Sequence, residues 1–272
     1  MKRELQYNEK PLLMGVVNVT PDSFFDGGKF YDPGEALRHA LQLATEGAHI
    51  LDVGGESTRP FSRPVSADEE LKRVIPVIQG IRARSDVFIS VDTYKAAVAE
   101  EALKAGADIV NDISGFLFDS AMTEVVRRYG AYAVVMHIKG TPADMQKGPS
   151  YEDVVEEIRD HFEERIDFAA REGVARDQLI LDPGIGFGKR VEDNLRIIRM
   201  LGSFKDLGLP LLVGPSMKSF IGTVTGAPVG ERGEGTIASI TMATWNGADI
   251  VRVHDVRGAR RAVELTAAVM RS

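Results

Sequence analysis

Cysteine is missing from the chain altogether. Its absence excludes disulfides, thiol catalysis and cysteine-ligated zinc, and leaves the redox compartment unaddressed by composition. No run approaches ~18 consecutive apolar residues, so no membrane-spanning helix is expected. The first ten residues, MKRELQYNEK, carry early basic side chains but no apolar stretch behind them, and they do not read as a secretory signal. Cations are outnumbered: 33 Lys and Arg face 40 Asp and Glu, for a net charge of -7. That balance argues against bulk nucleic-acid binding, although a local basic site could still grip phosphate. By default the chain is assigned to the cytoplasm. Linkers, low-complexity tracts and composition breaks are missing too, so residues 1–272 are expected to form one domain.

What is present is an alternation. Apolar runs of strand length occur at 12–19, 50–54, 87–92, 109–112, 133–137, 179–182, 210–214 and 250–254. They are short and rich in Val, Ile and Leu, as parallel strands buried on both faces must be. Helical stripes separate them. Leu71, Val74, Ile75, Ile78 and Ile81 form one, with a kink expected at Pro76. Val154, Ile158, Phe162 and Ile166 form another on the longest helix, from 151 to about 172. A Gly-Ala pair precedes a strand in EGAHILDV, AGADIVND, YGAYAVVM and NGADIVRV, where glycine supplies the left-handed residue that ends a helix. About eight alternating units predict an α/β fold, a single-domain (β/α)8 TIM barrel. A doubly wound open sheet is the second choice, but the glycine fingerprint it would carry near the first strand is missing.

Polar residues gather where these strands end: Asn18, then 56–59, Asp92, Asn111, Asp112, His137, Asp182, Ser216 with Lys218, and Arg252 with His254. Each alone has an ordinary explanation, as a helix cap, a satisfied core histidine or half of an ion pair. Together they are costly to bury unless they line one cavity, and barrel enzymes build their sites at that pole. Lys218, Arg252, His254 and Arg59 suit a polyanion, and Asn18 offers an oxygen to a hard cation such as Mg2+. Asp92, Asn111 and Asp182 supply the donors and acceptors that a flat heterocycle with amide and amine groups needs. The set points to a diphosphate ester of an aromatic nitrogen ring. PGIGFGK, residues 183–189, looks like a nucleotide loop but fails the Walker A pattern, with Pro183 for the first glycine and Arg190 for Ser or Thr. Its glycines are read instead as letting backbone pass close to a flat ligand beside Phe187. The five histidines show no metal-ligand spacing, and His39 and His161 are read as surface residues on helices.

The segments NVTPDSFFDGG, DVGGESTRP, SVDT, NDISG, VVMH with KGTP and MQ, LDPGIGFGK, KSFIG and RVHDV follow one another from Met14 to about Val256. In that order the chain resembles the dihydropteroate synthases, the first two motifs being the most specific. The resemblance implies a pterin-binding barrel and a transferase that condenses 6-hydroxymethyl-7,8-dihydropterin diphosphate with 4-aminobenzoate. Diphosphate would leave, and 7,8-dihydropteroate would pass to folate biosynthesis. Carried over by motif, Asn18 would ligate Mg2+, the expected cofactor, and Arg252 and His254 would hold the diphosphate. Asp92, Asn111, Asp182 and Lys218 would hydrogen-bond the pterin, Met136 and Phe187 would pack on its ring, and Gly214 would join the binding surface. Thr58, Arg59 and Ser219 would lie toward 4-aminobenzoate and diphosphate. Catalysis would fall to Asp92, Asp182, Lys218, Arg252 and His254. The loop after Asn18 would be a lid hinged at Gly27 and Gly28 and carrying Asp22. In it Phe24 or Phe25 would cover the acceptor and Asp26 would pair with a basic group such as Arg59. The family also implies a homodimer and a sulfonamide target, with neither nucleic acid nor membrane as partner.

The chain departs from the family pattern in three places. Met217 stands where Ser-Arg-Lys has its arginine, Phe61 where glycine is common, and Phe25 where a small polar residue is frequent. All three fall toward the acceptor half of the site. Two alternatives stay open at this level: a pterin-binding methyltransferase acting with a corrinoid protein, and a catalytically idle paralogue that still binds pterin.

Overall fold

The computed structural model describes residues 3–7, 10–20, 33–59 and 62–272. Phe61 and the expected lid residues Asp22, Phe24, Phe25 and Asp26 lie outside the described residues. Eight strands run in chain order: β1 (Leu12–Asn18), β2 (Ile50–Gly54), β3 (Phe88–Asp92), β4 (Ile109–Asp112), β5 (Tyr132–Met136), β6 (Leu179–Asp182), β7 (Leu212–Val213) and β8 (Ile250–Val253). Between and after them come α1 (Pro33–Glu46), α2 (Ala67–Arg82), α3 (Ala96–Lys104), α4 (Met122–Tyr129) and α5 (Val154–Arg171). The helices α6 (Val191–Arg199), α7 (Ser219–Thr225), α8 (Gly233–Trp245) and α9 (Val256–Met270) complete the set among the described residues.

All ladders are parallel, sequence neighbours pair from β1 to β6, and β8 lies between β1 and β7. A parallel bridge from Leu181 to Leu211, with Leu181 N–H donating to Pro210 O at 2.9 Å, joins β6 to β7. The sheet therefore curls into a nearly closed (β/α)8 barrel, and the doubly wound alternative is set aside. Gly47, Gly106, Gly130 and Gly247, the glycines of the four Gly-Ala pairs, have φ of 109°, 112°, 62° and 97°. Each sits in the left-handed region from which the chain turns into its next strand.

Period-two alternation sorts each strand's side chains. Leu12, Met14, Ile50, Ile109, Val134, Ile180, Leu212 and Ile250 fill the barrel interior. Their neighbours Leu13, Leu51, Ile89, Val110, Leu181 and Val251 pack under the helices. Each such burial contributes roughly 1.5–3 kcal/mol. The stripe Val154, Ile158, Phe162 and Ile166 faces inward on α5, where Phe162 meets Phe204 edge-on at 5.5 Å. Ser66 caps α2 by accepting the Glu69 N–H at 3.2 Å, and that helix runs on through Pro76 without a break. At the N-terminal mouth, buried Leu5 joins the interior cluster and donates its N–H to Tyr132 Oη at 3.1 Å. Arg3 lies 4.2 Å over the Phe88 ring and pairs with Asp108 at 3.1 Å. That end is plugged. Chemistry is left to the other mouth. Among the described residues no helix is long and apolar enough to cross a membrane.

Candidate active site

Climbing the barrel interior, apolar side chains give way to polar ones on the same face: Ile50 to Asp52, Ile109 to Asn111, Ile180 to Asp182 and Ile250 to Arg252. Register places Asn18 beside Gly54, Gly54 beside Asp92, and Asp92 beside Asn111, so these residues share one level of the rim. Met136 is likewise paired with Asp182.

Asp52 is the hub of the polar layer. Its Oδ2 accepts Arg252 Nε at 2.6 Å and Asn111 Nδ2 at 3.1 Å, while Arg252 Nη2 donates to Asp92 Oδ2 at 2.7 Å. Asp52 was not singled out from sequence. The available signal was a carboxylate in the middle of ILDVG, a strand buried on both faces. Asp52 Oδ1 and Asp92 Oδ1 are buried with no hydrogen-bond partner. Such acceptors are expensive to leave unmade and suit a ligand that brings N–H groups. Burial pushes the Asp92 carboxyl up to about 7; Arg252 opposes the rise, and Asp52 and Glu70 add to it. Burial works against the charge on Arg252, but Asp52 and Asp92 outweigh it and hold its pKa above the ordinary value.

Asp182 closes the opposite side of the mouth. Burial lifts it to about 6 despite the Gly184 N–H, which donates to Oδ1 at 2.7 Å, and despite the cations Lys218, Lys189 and Arg252. Burial lowers Lys218 to about 8, with Arg252 lowering it further and Asp182 and Asp92 sustaining its charge. The Lys218 ammonium lies 4.1 Å over the Phe187 ring. Met136, Ile113, Ile138 and Met145 form an apolar cluster against which Phe187 and Tyr94 pack. A flat cleft lined by acids, cations and an apolar wall is the result.

At the rim, the His254 backbone N–H reaches Ser216 Oγ at 3.3 Å, and Ser216 Oγ lies 2.9 Å from His254 Nδ1. With its oxygen accepting from the backbone, the hydroxyl donates to Nδ1 and leaves the imidazole proton on Nε2. His254 stands exposed at the rim, and desolvation of its ring together with the cations Arg252, Lys218 and Arg59 holds its pKa below the ordinary value, so the neutral imidazole is favoured at pH 7. Exposed Arg59 is thus close enough to act on both His254 and Lys218. Half-buried Thr58 precedes it, and exposed Ser219 opens α7. Gly214 follows β7, where a Cβ would lie 3.6 Å from Arg252 Cβ. Half-buried Asn18 ends β1. Buried Glu56 is a clamp for the 57–65 loop: it accepts Val65 N–H at 3.1 Å, Tyr94 Oη at 2.5 Å and Lys95 Nζ at 2.5 Å.

Other residues singled out from the sequence serve the fold. Asp112 points away from the cleft's hydrogen-bond network and caps its own turn, accepting Ser114 N–H at 2.8 Å and Phe116 N–H at 2.9 Å. His161 is half-buried rather than a surface residue, its ring edge-on to His137 at 5.0 Å. The glycines of PGIGFGK serve the protein's own packing: a Cβ on Gly184 would lie 2.0 Å from His137 O, and one on Gly188 2.3 Å from Lys139 O. Gly186 instead makes room for the Lys218 stem, 3.0 Å from its absent Cβ. Met217 adopts φ 60°, donates its N–H to Thr236 Oγ1 at 3.0 Å, and rests its thioether 3.8 Å from the same oxygen.

Residues 14–254 match the family described as pterin binding enzyme. The dihydropteroate synthase of Synechocystis sp. is 46% identical over 266 residues, covering 97% of this chain and 92% of that one. The crystal structure of Yersinia pestis dihydropteroate synthase with a sulfonamide drug complex superposes with a TM-score of 0.95 at 40% identity, covering 100% and 99% of the two chains. Xanthomonas albilineans dihydropteroate synthase with 4-aminobenzoic acid gives a TM-score of 0.91 at 41% identity, over 97% and 94%.

Proposed function

The chain belongs to the pterin-binding enzymes and, among them, to the dihydropteroate synthases, transferases of folate biosynthesis; from that premise we propose how its own residues divide the work. The reaction joins 6-hydroxymethyl-7,8-dihydropterin diphosphate to 4-aminobenzoate, releasing diphosphate and 7,8-dihydropteroate. The observation that carries the assignment of roles is the buried Asp52–Arg252–Asp92–Asn111 network, with two carboxylate oxygens lacking partners, facing Asp182 and Lys218. Asp92, Asn111, Asp182 and Lys218 bind the pterin edge. Met136 and Phe187 lie on its ring, and Gly214 admits its backbone-side approach. Asp52 Oδ2 holds Arg252 and Asn111 in place, and its Oδ1, with Asp92 Oδ1, is offered to the N–H groups of the ligand.

Arg252, His254 through Nε2–H, and Arg59 meet the diphosphate. Ser219 and Thr58 lie toward 4-aminobenzoate. As the methylene C–O bond breaks, diphosphate takes its electrons and the pterin ring gains positive charge. Ionised Asp182 favours that charge, while Arg252 and His254 favour the departing anion. The arylamine nitrogen then forms the C–N bond and loses a proton, and holding this poor nucleophile in line supplies much of the remaining rate. Asn18, half-buried at the end of β1, would hold a Mg2+ ion through its side-chain oxygen. Bound there, the ion would neutralise the leaving group.

The acceptor pocket also takes sulfonamides, whose arylamine end matches 4-aminobenzoate, as the Yersinia relative's complex suggests. The chain acts as one domain in the cytoplasm and as a homodimer through α8 and α9, where Met242, Trp245, Leu265 and Val269 are exposed. Calorimetric titration with 4-aminobenzoate tests the assignment. Binding should need diphosphate and Mg2+; equal binding without either would point to the methyltransferase class instead.

A further inference from the structure

Lys189 has no role in the reaction as assigned above, yet it is only 3% exposed and sits at the base of the loop that carries Phe187. Its ammonium is 3.2 Å from His137 O, 3.1 Å from Phe187 O and 2.9 Å from His137 Nδ1. Three N–H donors thus meet three acceptors, which satisfies a charged lysine and leaves the His137 proton on Nε2. Gly184 and Gly188 bring the same loop onto the backbone of His137 and Lys139, just past β5. The held Phe187 carbonyl fixes the ring that lies under Lys218 at 4.1 Å.

We propose that Lys189 is a positioning residue for the pterin pocket: its ammonium staples the 183–189 loop to the end of β5 and sets Phe187 beneath Lys218. The inference rests on the reading of Asp182 and Lys218 as pterin-binding residues. The groups that act on Asp182 are the Gly184 N–H, Lys218 before α7, Lys189 in the loop and Arg252 on β8, and all four favour its anion against burial. Burial lowers Lys189 itself to about 7; Asp182 on β6 and Asp193 on α6 favour its charge, and Lys218 and Lys139 oppose it, so the ammonium is charged across the acidic limb below pH 7. His137 lies against it and His161 of α5 behind His137; burial, then Lys189 and His161, hold His137 below its ordinary pKa, so neither histidine competes for the loop as a cation at neutral pH. Removing the positive charge of Lys189 must therefore raise the Asp182 pKa and carry the acidic limb of pterin binding to higher pH.

Calorimetric binding of 6-hydroxymethylpterin between pH 5 and 8, together with steady-state kinetics, reads this out. Lys189→Met should weaken pterin binding about tenfold at pH 7, as expected for hydrogen bonds made by a charged group, and move the acidic limb upward by about half a pH unit or more. The Michaelis constant for 4-aminobenzoate at saturating pterin diphosphate should stay within about twofold. Lys189→Arg keeps the charge, so its acidic limb should stay at the wild-type position even where affinity falls. If the methionine variant does not fold, Lys189→Gln provides the neutral side chain. Unchanged pterin affinity in the neutral variant overturns the proposal, as does weaker binding with an unmoved limb, or an arginine variant whose limb moves as far. Asp182→Asn separates this failure from that of the underlying reading: if it leaves pterin binding intact, the pocket assignment itself is wrong.

Discussion

Asp182→Asn exchanges a buried carboxylate for an amide of nearly the same shape, and the structure sets the expected consequences for stability and for activity in opposite directions. The side chain is 6% exposed, and its Oδ1 accepts the Gly184 N–H at 2.7 Å, a bond that an asparagine oxygen can keep. Burial raises the pKa from 3.8 to about 6, so the folded protein holds this proton more tightly than the unfolded chain does. Stability from this group is therefore fully present below 3.8 and declines as pH rises through about 6. Above that pH the ionised form opposes folding by about 3 kcal/mol. Asparagine carries no such penalty. Urea titrations of the ligand-free protein should find the variant more stable at pH 8, by up to about 3 kcal/mol, and the two proteins nearly equal at pH 4. The same variant should lose ~10^2 or more in turnover, the usual scale for removing one electrostatic stabiliser. A variant less stable than wild type at pH 8 would refute the reasoning, because it would mean that the cations around Asp182 more than compensate its burial. So would near-normal turnover.

Other consequences follow from neighbouring groups. The kcat/KM for pterin diphosphate should trace a bell, falling below about 6 as Asp182 protonates and above about 8 as Lys218 loses its proton; a flat profile from pH 5 to 9 would contradict this. Gly184→Ala sets a Cβ 2.0 Å from His137 O at a residue with φ 69°. It should destabilise the fold by at least about 2 kcal/mol, read as a lower urea midpoint. Trp245→Glu on the exposed face of α8 should halve the sedimenting mass without unfolding the barrel; an unchanged mass would move the dimer contact elsewhere.

The barrel was legible because strands buried on both faces must be short apolar runs, and because glycines such as Gly47 and Gly106 mark each descent into the next strand. The rim residues were legible for a related reason: Asp92, Asn111, Asp182 and Arg252 interrupt apolar runs at their C-terminal ends. What stayed hidden depends on contacts between distant segments. Asp52 lies within its strand rather than at the end, and its importance appears only when Arg252, 200 residues away, reaches it at 2.6 Å. Lys189 reads in sequence as the last letter of a failed nucleotide loop, and only the fold sets it 2.9 Å from His137 Nδ1. Met217 has its thioether 3.8 Å from Thr236 Oγ1 of α8, a contact between segments that the sequence pattern does not show. Asp112 could not be told from its neighbour Asn111 by pattern, since adjacent strand residues point to opposite faces and only the turn it caps assigns it.

The most direct test of the central claim is diphosphate release from 6-hydroxymethyl-7,8-dihydropterin diphosphate, followed with and without 4-aminobenzoate. The account predicts sustained release only when 4-aminobenzoate is present, with one 7,8-dihydropteroate formed for each diphosphate. Sustained release without the arylamine would make the protein a hydrolase. No release with both substrates and Mg2+ would leave it a pterin binder without the transferase activity.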